Sequence, residues 1–294
     1  MPPTSRAAGR SADALARAAL AEDRVDADRT TRAVLPTPIL ARGTVTAQAA
    51  GVLSGMAAAR AVARTMGLAV ERGRPDGTQV RGGTAVLIVR GDARRILAAE
   101  RTILNLLMHA SGVATATARA VRAAGGGRTL EVWATRKTLP GLRDLEKAAV
   151  RHGGGRPHRR DLADGILVKN NHLALVPLEE AVRRARGARR GRARIEVEVR
   201  TVAEAVRAAR AGAGALLIDN RSPRAARAIV RALERAGLRR NVWVELSGGI
   251  TAATIGRYRR CGADAASLGA LTHSAPALPF HLDLRPAGLR QAPA

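Results

Sequence analysis

The stretch Ile195-Glu196-Val197-Glu198-Val199, followed by Val202 to Ala211 and then by Ala215-Leu216-Leu217-Ile218-Asp219-Asn220, decides the fold. It begins with β-branched residues alternating with acids, continues as an alanine-rich helical run, and ends in a short apolar run closed by polar residues. Two short strands with one helix between them form a parallel pair joined by a crossover. The same rhythm repeats on both sides. Strand-like runs recur at Leu130-Glu131-Val132-Trp133, Gly165-Ile166-Leu167-Val168, Val242-Trp243-Val244-Glu245 and Ala265-Ala266-Ser267-Leu268. Helical runs lie among them at Leu178 to Arg186, Pro223 to Ala236 and Ala252 to Cys261. Six strands, with room for one more, are too few for a closed eight-stranded ring. Residues 125–294 are therefore expected to form an incomplete α/β barrel.

Upstream the order changes. Residues 1–11 are rich in Pro, Ser, Gly and Arg and are expected to be a disordered tail. Ala12 to Leu20 predicts a helix. Short runs such as Thr44-Val45-Thr46-Ala47 and Ala85-Val86-Leu87-Ile88-Val89 predict strands around a helix at Met56 to Met66, an α+β module. Ala93 to Ala124 predicts a long helix, broken near Gly112. The first domain is thus expected over 12–124.

Composition narrows the function classes. The chain has 294 residues, 46% of them apolar, enough for a sizeable core, yet no run approaches a membrane span. Arg6 and Arg10 are followed by no apolar segment of the secretory kind. The single cysteine, Cys261, excludes an internal disulfide framework and points to a reducing cytoplasm. Basic residues outnumber acidic ones 50 to 24, for a net charge of +26. A nucleic-acid partner fits that charge in principle. However, the arginines are spread over the whole chain and only Trp133, Trp243, Tyr258 and Phe280 are aromatic, so stacking platforms are nearly absent. Small anionic substrates fit better.

The unusual polar residues of the second half fall at the carboxyl ends of the predicted strands, the rim that carries active sites in α/β barrels. They are Thr135-Arg136-Lys137-Thr138, Lys169-Asn170-Asn171-His172, Glu196 with Glu198, Asp219-Asn220, Ser247-Gly248-Gly249, and Gly269 before Thr272-His273-Ser274. Only three residues in the chain are lysine: Lys137, Lys169 and Lys147. Two of them stand at strand ends in a sequence that otherwise uses arginine. Those positions read as needing a compact ammonium rather than a planar fork. Arg136 and Lys137 also have the plain reading of surface cations, and Lys147, beside Glu146 on a helix, reads as structural. Glu196 and Glu198 share one strand face. Turned inward they would need cations or a metal; turned outward they would simply be solvated. Ser247-Gly248-Gly249 ahead of Thr251 and a predicted helix reads as a phosphate cradle. Gly153-Gly154-Gly155-Arg156-Pro157-His158-Arg159-Arg160 is either a basic linker or a cationic clamp for a small diacid. His109 fits a satisfied core histidine, and the pattern names no partner for His152 or His281.

Taken together, these motifs resemble the quinolinate phosphoribosyltransferases, the type II phosphoribosyltransferases of NAD synthesis. The resemblance is carried by Glu100-Arg101-Thr102-Ile103-Leu104-Asn105-Leu106, Ser111 to Thr115, and Thr135-Arg136-Lys137-Thr138-Leu139-Pro140-Gly141-Leu142-Arg143. Gly153 to Gly155 with His158-Arg159 and the later strand-end motifs complete it, in unbroken order from about 12 to 284.

The resemblance implies an N-terminal α+β sandwich domain packed against the incomplete α/β barrel, and a homodimer or higher homo-oligomer with shared active sites. It implies transfer of phosphoribosyl from phosphoribosyl pyrophosphate to quinolinate with decarboxylation, giving nicotinate mononucleotide, pyrophosphate and CO2. Substrate-binding roles fall to Thr135, Arg136, His158, Arg159 and Lys169, with Arg101 contributed by a second copy. Catalytic roles fall to Lys137, Lys169, Glu198 and Asp219. The last two also face Mg2+ through water. Phosphate-binding roles fall to Ser247, Gly248, Gly249, Gly269 and His273. Ala134, Asn170 and Arg200 depart from the commonest family pattern. Three alternatives remain at this level: a molybdenum-operon-type paralogue acting on another aromatic acid, a Schiff-base lysine lyase, and a basic nucleic-acid-binding protein.

Overall fold

The computed structural model describes residues 5–189, 191 and 194–287. Its elements begin with α1 (Ser5–Glu22), α2 (Arg29–Val34), β1 (Leu40–Ala47), β2 (Gly51–Val52), α3 (Met56–Thr65), β3 (Ala69–Gly73), β4 (Gln79–Val80), β5 (Ala85–Asp92) and α4 (Ala93–Ala123). There follow β6 (Glu131–Trp133), α5 (Arg143–His152), β7 (Ile166–Val168), α6 (Asn170–Leu173), α7 (Leu178–Ala188), β8 (Ile195–Val199), α8 (Val202–Ala211) and β9 (Ala215–Asp219). The chain finishes with α9 (Pro223–Arg235), β10 (Trp243–Ser247), β11 (Ala265–Ser267), α10 (Ala270–His273) and β12 (Phe280–Pro286). Two compact units result. One takes Met1–Ala116, Leu139–Gly153 and Ala275–Ala294, and the other takes Thr117–Thr138 and Gly154–Ser274.

The first unit is built on a four-stranded antiparallel sheet in the order β12-β1-β5-β3. Along β1, Ala41, Gly43, Val45 and Ala47 are buried while the residues between them are exposed or half-buried, the period of two expected of a strand with one covered face. Small residues let helices lie close: α3 buries Met56, Ala58, Ala59, Ala61, Val62 and Ala63. Helix α4 is continuous through Gly112, contrary to the break expected there. The glycine answers a different need, because a Cβ at 112 would overlap the Pro276 carbonyl oxygen.

Two further expectations change. Residues 5–11 belong to α1 rather than to a disordered tail, and residues 1–4 lie outside the described residues. The single border at 124/125 is replaced by four crossings, for two reasons. Strand β12 completes the first sheet by pairing with β1 from Ala41↔Pro286 to Ala47↔Phe280. Helix α5 holds Glu146, whose fully buried carboxylate takes His109 Nε2 at 2.8 Å and accepts the Leu139 N–H at 3.3 Å. His109 is thus the satisfied core histidine that was expected.

The second unit is a six-stranded sheet in the order β6-β11-β10-β9-β8-β7, every pair of it parallel. This is the incomplete α/β barrel. Its helices start and stop on local signals. Thr201 and Glu204 form a capping box on α8, and Ser222 with Pro223 opens α9. The helix expected over 252–261 is instead a single 3-10 turn, Ile255–Tyr258. There the Thr254 hydroxyl accepts the Thr251 N–H at 3.0 Å, and such local bonds compete with the helical ladder. Among the described residues, no helix is long and apolar enough to cross a membrane.

Candidate active site

Parallel strands all end on one side, and a period of two selects which side chains turn into the barrel. The residues lining a cavity of about 770 Å³ at that rim keep the rule. They include Leu167 and Lys169, Leu217 and Asp219, Glu245 and Ser247, and Ser267 and Gly269, with Glu198 from the strand between. Thr135, Arg136, Lys137, His158, Arg159, Gly248, Gly249 and His273 complete the lining from the loops. The cavity therefore gathers the residues to which substrate, catalytic and phosphate roles fell, except Arg101, whereas Glu196 lies outside its lining. Arg101 lies in the first unit, exposed on α4, beside Arg24, Arg29 and Arg32.

The cations come from two loops. After β6, the Thr135 hydroxyl accepts the Lys137 N–H at 3.0 Å, and the Thr272 hydroxyl donates to the Lys137 carbonyl at 2.7 Å. Neighbouring Arg136 has a buried Nε without a hydrogen-bond partner, a donor that an anion would satisfy. Burial, helped by nearby Arg136, pushes the Arg159 guanidinium below its usual range. Lys169 ends β7, where its N–H donates to His172 Nδ1 at 2.9 Å and its side chain stays exposed.

Beneath these cations sits a pair of acids that sequence reasoning left without a role. The Trp243, Glu245 and Ser247 side chains share one face of β10, a signal available from spacing alone. Glu245 is 1% exposed and its Oε1 has no hydrogen-bond partner. His158 Nε2 lies 3.4 Å from Glu245 Oε1 and 3.7 Å from Glu196 Oε2. Burial, then the charge of Glu245, pushes the Glu196 carboxyl up to about 7. These three residues could be mistaken for a metal site. Against that, His158 Nδ1 accepts the Arg159 N–H at 2.6 Å, so the neutral ring carries its proton on Nε2 and offers the acids a donor rather than a lone pair. His158 has a positive φ of 52° and Trp133 packs edge-on at 5.4 Å. A constrained histidine thus fixes the backbone that presents Arg159.

Glu198 and Asp219 form a second acidic pair. The Asn170 amide donates to Glu198 Oε1 at 2.6 Å. Burial and the neighbouring Asp219 push the Glu198 carboxyl up. Arg200 donates to Asp219 Oδ2 from Nη2 at 2.9 Å and from Nε at 3.2 Å. Two carboxylates present hard oxygen donors of the kind Mg2+ takes.

The turn expected to cradle a phosphate is shaped by its backbone. Gly248 and Gly249 have φ of 91° and 62°, and a Cβ on Gly248 would lie 2.6 Å from the Asn220 nitrogen. Asn220 N–H in turn donates to the Ser247 carbonyl at 2.8 Å. The helix dipole expected behind this cradle is not supplied, because the Thr251–Thr254 turn takes the helix's place. His273 sits on α10 and pairs through Nδ1 with Ser274 Oγ at 2.6 Å.

Comparison with known proteins adds an independent line. The model of the quinolinate phosphoribosyl transferase N-terminal domain matches residues 28–111, and that of the C-terminal domain matches 113–283. A probable carboxylating nicotinate-nucleotide pyrophosphorylase of Methanothermobacter thermautotrophicus is 42% identical over 260 residues, 88% of this chain and 93% of that protein. The Homo sapiens carboxylating nicotinate-nucleotide pyrophosphorylase is 40% identical over 240 residues, 81% of this chain and 80% of that one. The crystal structure of NadC from Streptococcus pyogenes is similar at a TM-score of 0.86 and 37% identity, covering 93% of this chain and 96% of that one.

Proposed function

Because the chain belongs to the quinolinate phosphoribosyltransferase family, we propose that the rim cavity of its second unit is where both substrates of that family meet. The chain transfers the phosphoribosyl group of phosphoribosyl pyrophosphate to quinolinate with loss of CO2, yielding nicotinate mononucleotide and pyrophosphate in NAD biosynthesis. One observation supports the site assignment above all. Arg136, Lys137, Arg159 and Lys169 converge on one cavity, and among the described residues none is within ion-pair distance of a carboxylate. Cations that make no direct ion pair are free to hold anionic ligands, and a diacid with a phosphorylated sugar supplies them.

The chemistry then follows from placement. Arg136, Arg159 and Lys169 hold the two carboxylates of quinolinate, and His158 keeps Arg159 aimed. Ser247, Gly248, Gly249 and Gly269 cradle the 5′-phosphate, with His273 beside them. The pyridine nitrogen attacks the anomeric carbon as the bond to pyrophosphate breaks. The carboxylates of Glu198 and Asp219 stabilise the positive charge that develops on the ribose. Lys137 donates to the departing pyrophosphate. Glu198 and Asp219 would hold Mg2+, which would supply charge neutralisation for the leaving pyrophosphate. Loss of the 2-carboxylate leaves an electron pair on the ring carbon, stabilised by the adjacent pyridinium nitrogen until a proton replaces CO2. In this reading the enzyme works as a cytoplasmic homodimer in which Arg101 of one copy completes the acid clamp of the other.

The test is direct. Purified protein with quinolinate, phosphoribosyl pyrophosphate and Mg2+ should release pyrophosphate and CO2 in step with nicotinate mononucleotide. Nicotinate, lacking the second carboxylate, should bind more weakly by about 2–4 kcal/mol. Equal binding of the two acids refutes the clamp, and absence of pyrophosphate release refutes the site.

A further inference from the structure

Arg200 stands one residue past the end of β8 and belongs to none of the roles above. Its backbone is pinned, since its N–H donates to Glu204 Oε2 at 2.6 Å at the start of α8. Its side chain is 49% exposed, yet it does not extend into solvent. It turns across the carboxyl end of β9 instead. Both Nε and Nη2 bond to the same oxygen, Asp219 Oδ2, and Nη2 lies 3.9 Å from Glu198 Oε1. Asn170 occupies that Glu198 oxygen from the other side. Each carboxylate of the pair thus has one oxygen engaged by the chain itself, and a permanent positive charge rests where a divalent cation would bind.

We propose that Arg200 is a resident counter-ion that closes the Glu198–Asp219 pair to a free divalent cation, so that the metal enters only together with the diphosphate of the substrate. This deepens the reading of Glu198 and Asp219 as the Mg2+-facing carboxylates and rests on it. Two facts make the closure reversible. A half-exposed guanidinium–carboxylate pair is weak, because water competes for both partners. A diphosphate, besides carrying the metal, offers the guanidinium a planar pair of oxygens that it can bind in place of Asp219. Arrival of the substrate would therefore release the carboxylates and re-employ the arginine in one exchange. Free Mg2+, which offers Arg200 nothing in return, would not.

The experiment uses the full-length protein without substrates and Mn2+ as the metal probe, following the loss of the free Mn2+ resonance by electron paramagnetic resonance. The proteins compared are the wild type, Arg200→Ala, Asp219→Asn and Arg200→Ala with Asp219→Asn. Arg200→Ala should bind Mn2+ about tenfold more tightly than the wild type, the effect expected of one unit charge a few Å from a divalent ion under solvent screening. That gain should vanish when Asp219→Asn is added. Equal affinity of wild type and Arg200→Ala, with Asp219→Asn weakening both, overturns the role of Arg200 while leaving the carboxylates as metal residues. Binding indifferent to Asp219→Asn in every background overturns the carboxylate reading, and the inference with it.

Discussion

Replacing Glu196 by glutamine should stabilise the protein increasingly as the pH rises from about 5 to 8. The carboxyl is pushed from an ordinary 4.5 up to about 7, first by burial and then by Glu245, with His158 and Arg159 only partly offsetting. A carboxyl raised in the folded state binds its proton more tightly folded than unfolded. Folding stability therefore falls as pH rises through the window from 4.5 to 7 and levels off above it. Between pH 5 and pH 8 the loss should be about 2–3 kcal/mol. Glutamine keeps the shape and hydrogen-bonding capacity and does not ionise. The gap between Glu196→Gln and the wild type should thus be smallest at pH 5 and widen towards pH 8. In thermal unfolding this is a shift of several degrees for a chain of this size. Urea titrations at pH 5, 6, 7 and 8 measure it directly. A gap that stays constant with pH would mean that Glu196 titrates normally and that the burial argument fails.

Gly112→Ala should cost several kcal/mol and lower the melting temperature without touching the rim, because the added methyl meets a backbone oxygen that cannot swing away; an unchanged melt refutes that packing. Lys137→Arg and Lys169→Arg should each lose most turnover in a steady-state assay, since misplacing a contact by about 1 Å can cost on the order of 100-fold; wild-type rates in both would return these lysines to the surface background. Arg101→Ala and Lys137→Ala should each be inactive alone. Mixed heterodimers should regain part of the activity if Arg101 serves the other copy's site, and absence of rescue in isolated heterodimers confines it to its own chain.

Much of the second unit was legible in the primary structure. Its strands are short, β-branched and apolar, and its helices carry local start signals such as Thr201-x-x-Glu204 and Ser222-Pro223. Local rules failed where a longer-range contact outweighed them. Gly112 looked like a break because glycine disfavours helix, while the Pro276 carbonyl that requires it lies far along the chain. The 252–261 segment looked helical by periodicity, and its threonine hydroxyls turned the backbone another way. The assignment of β12 to the first sheet depends on pairing with β1, which no local pattern encodes.

The site divides along the same line. The order of residues alone dictated which of them stand at the strand ends, because parallel strands of period two deliver alternate side chains to one rim whatever their neighbours are. It also determined the excess of cations there and the motif order that marks the family. How the charges are paired was set on folding. Folding brings Glu245 of β10 to the same histidine as Glu196 of β8, although β9 lies between their strands. It likewise lets Arg200 reach Asp219 one strand away. Spacing fixes the face on which a side chain stands, but the partner it meets depends on distances that the chain acquires only on folding.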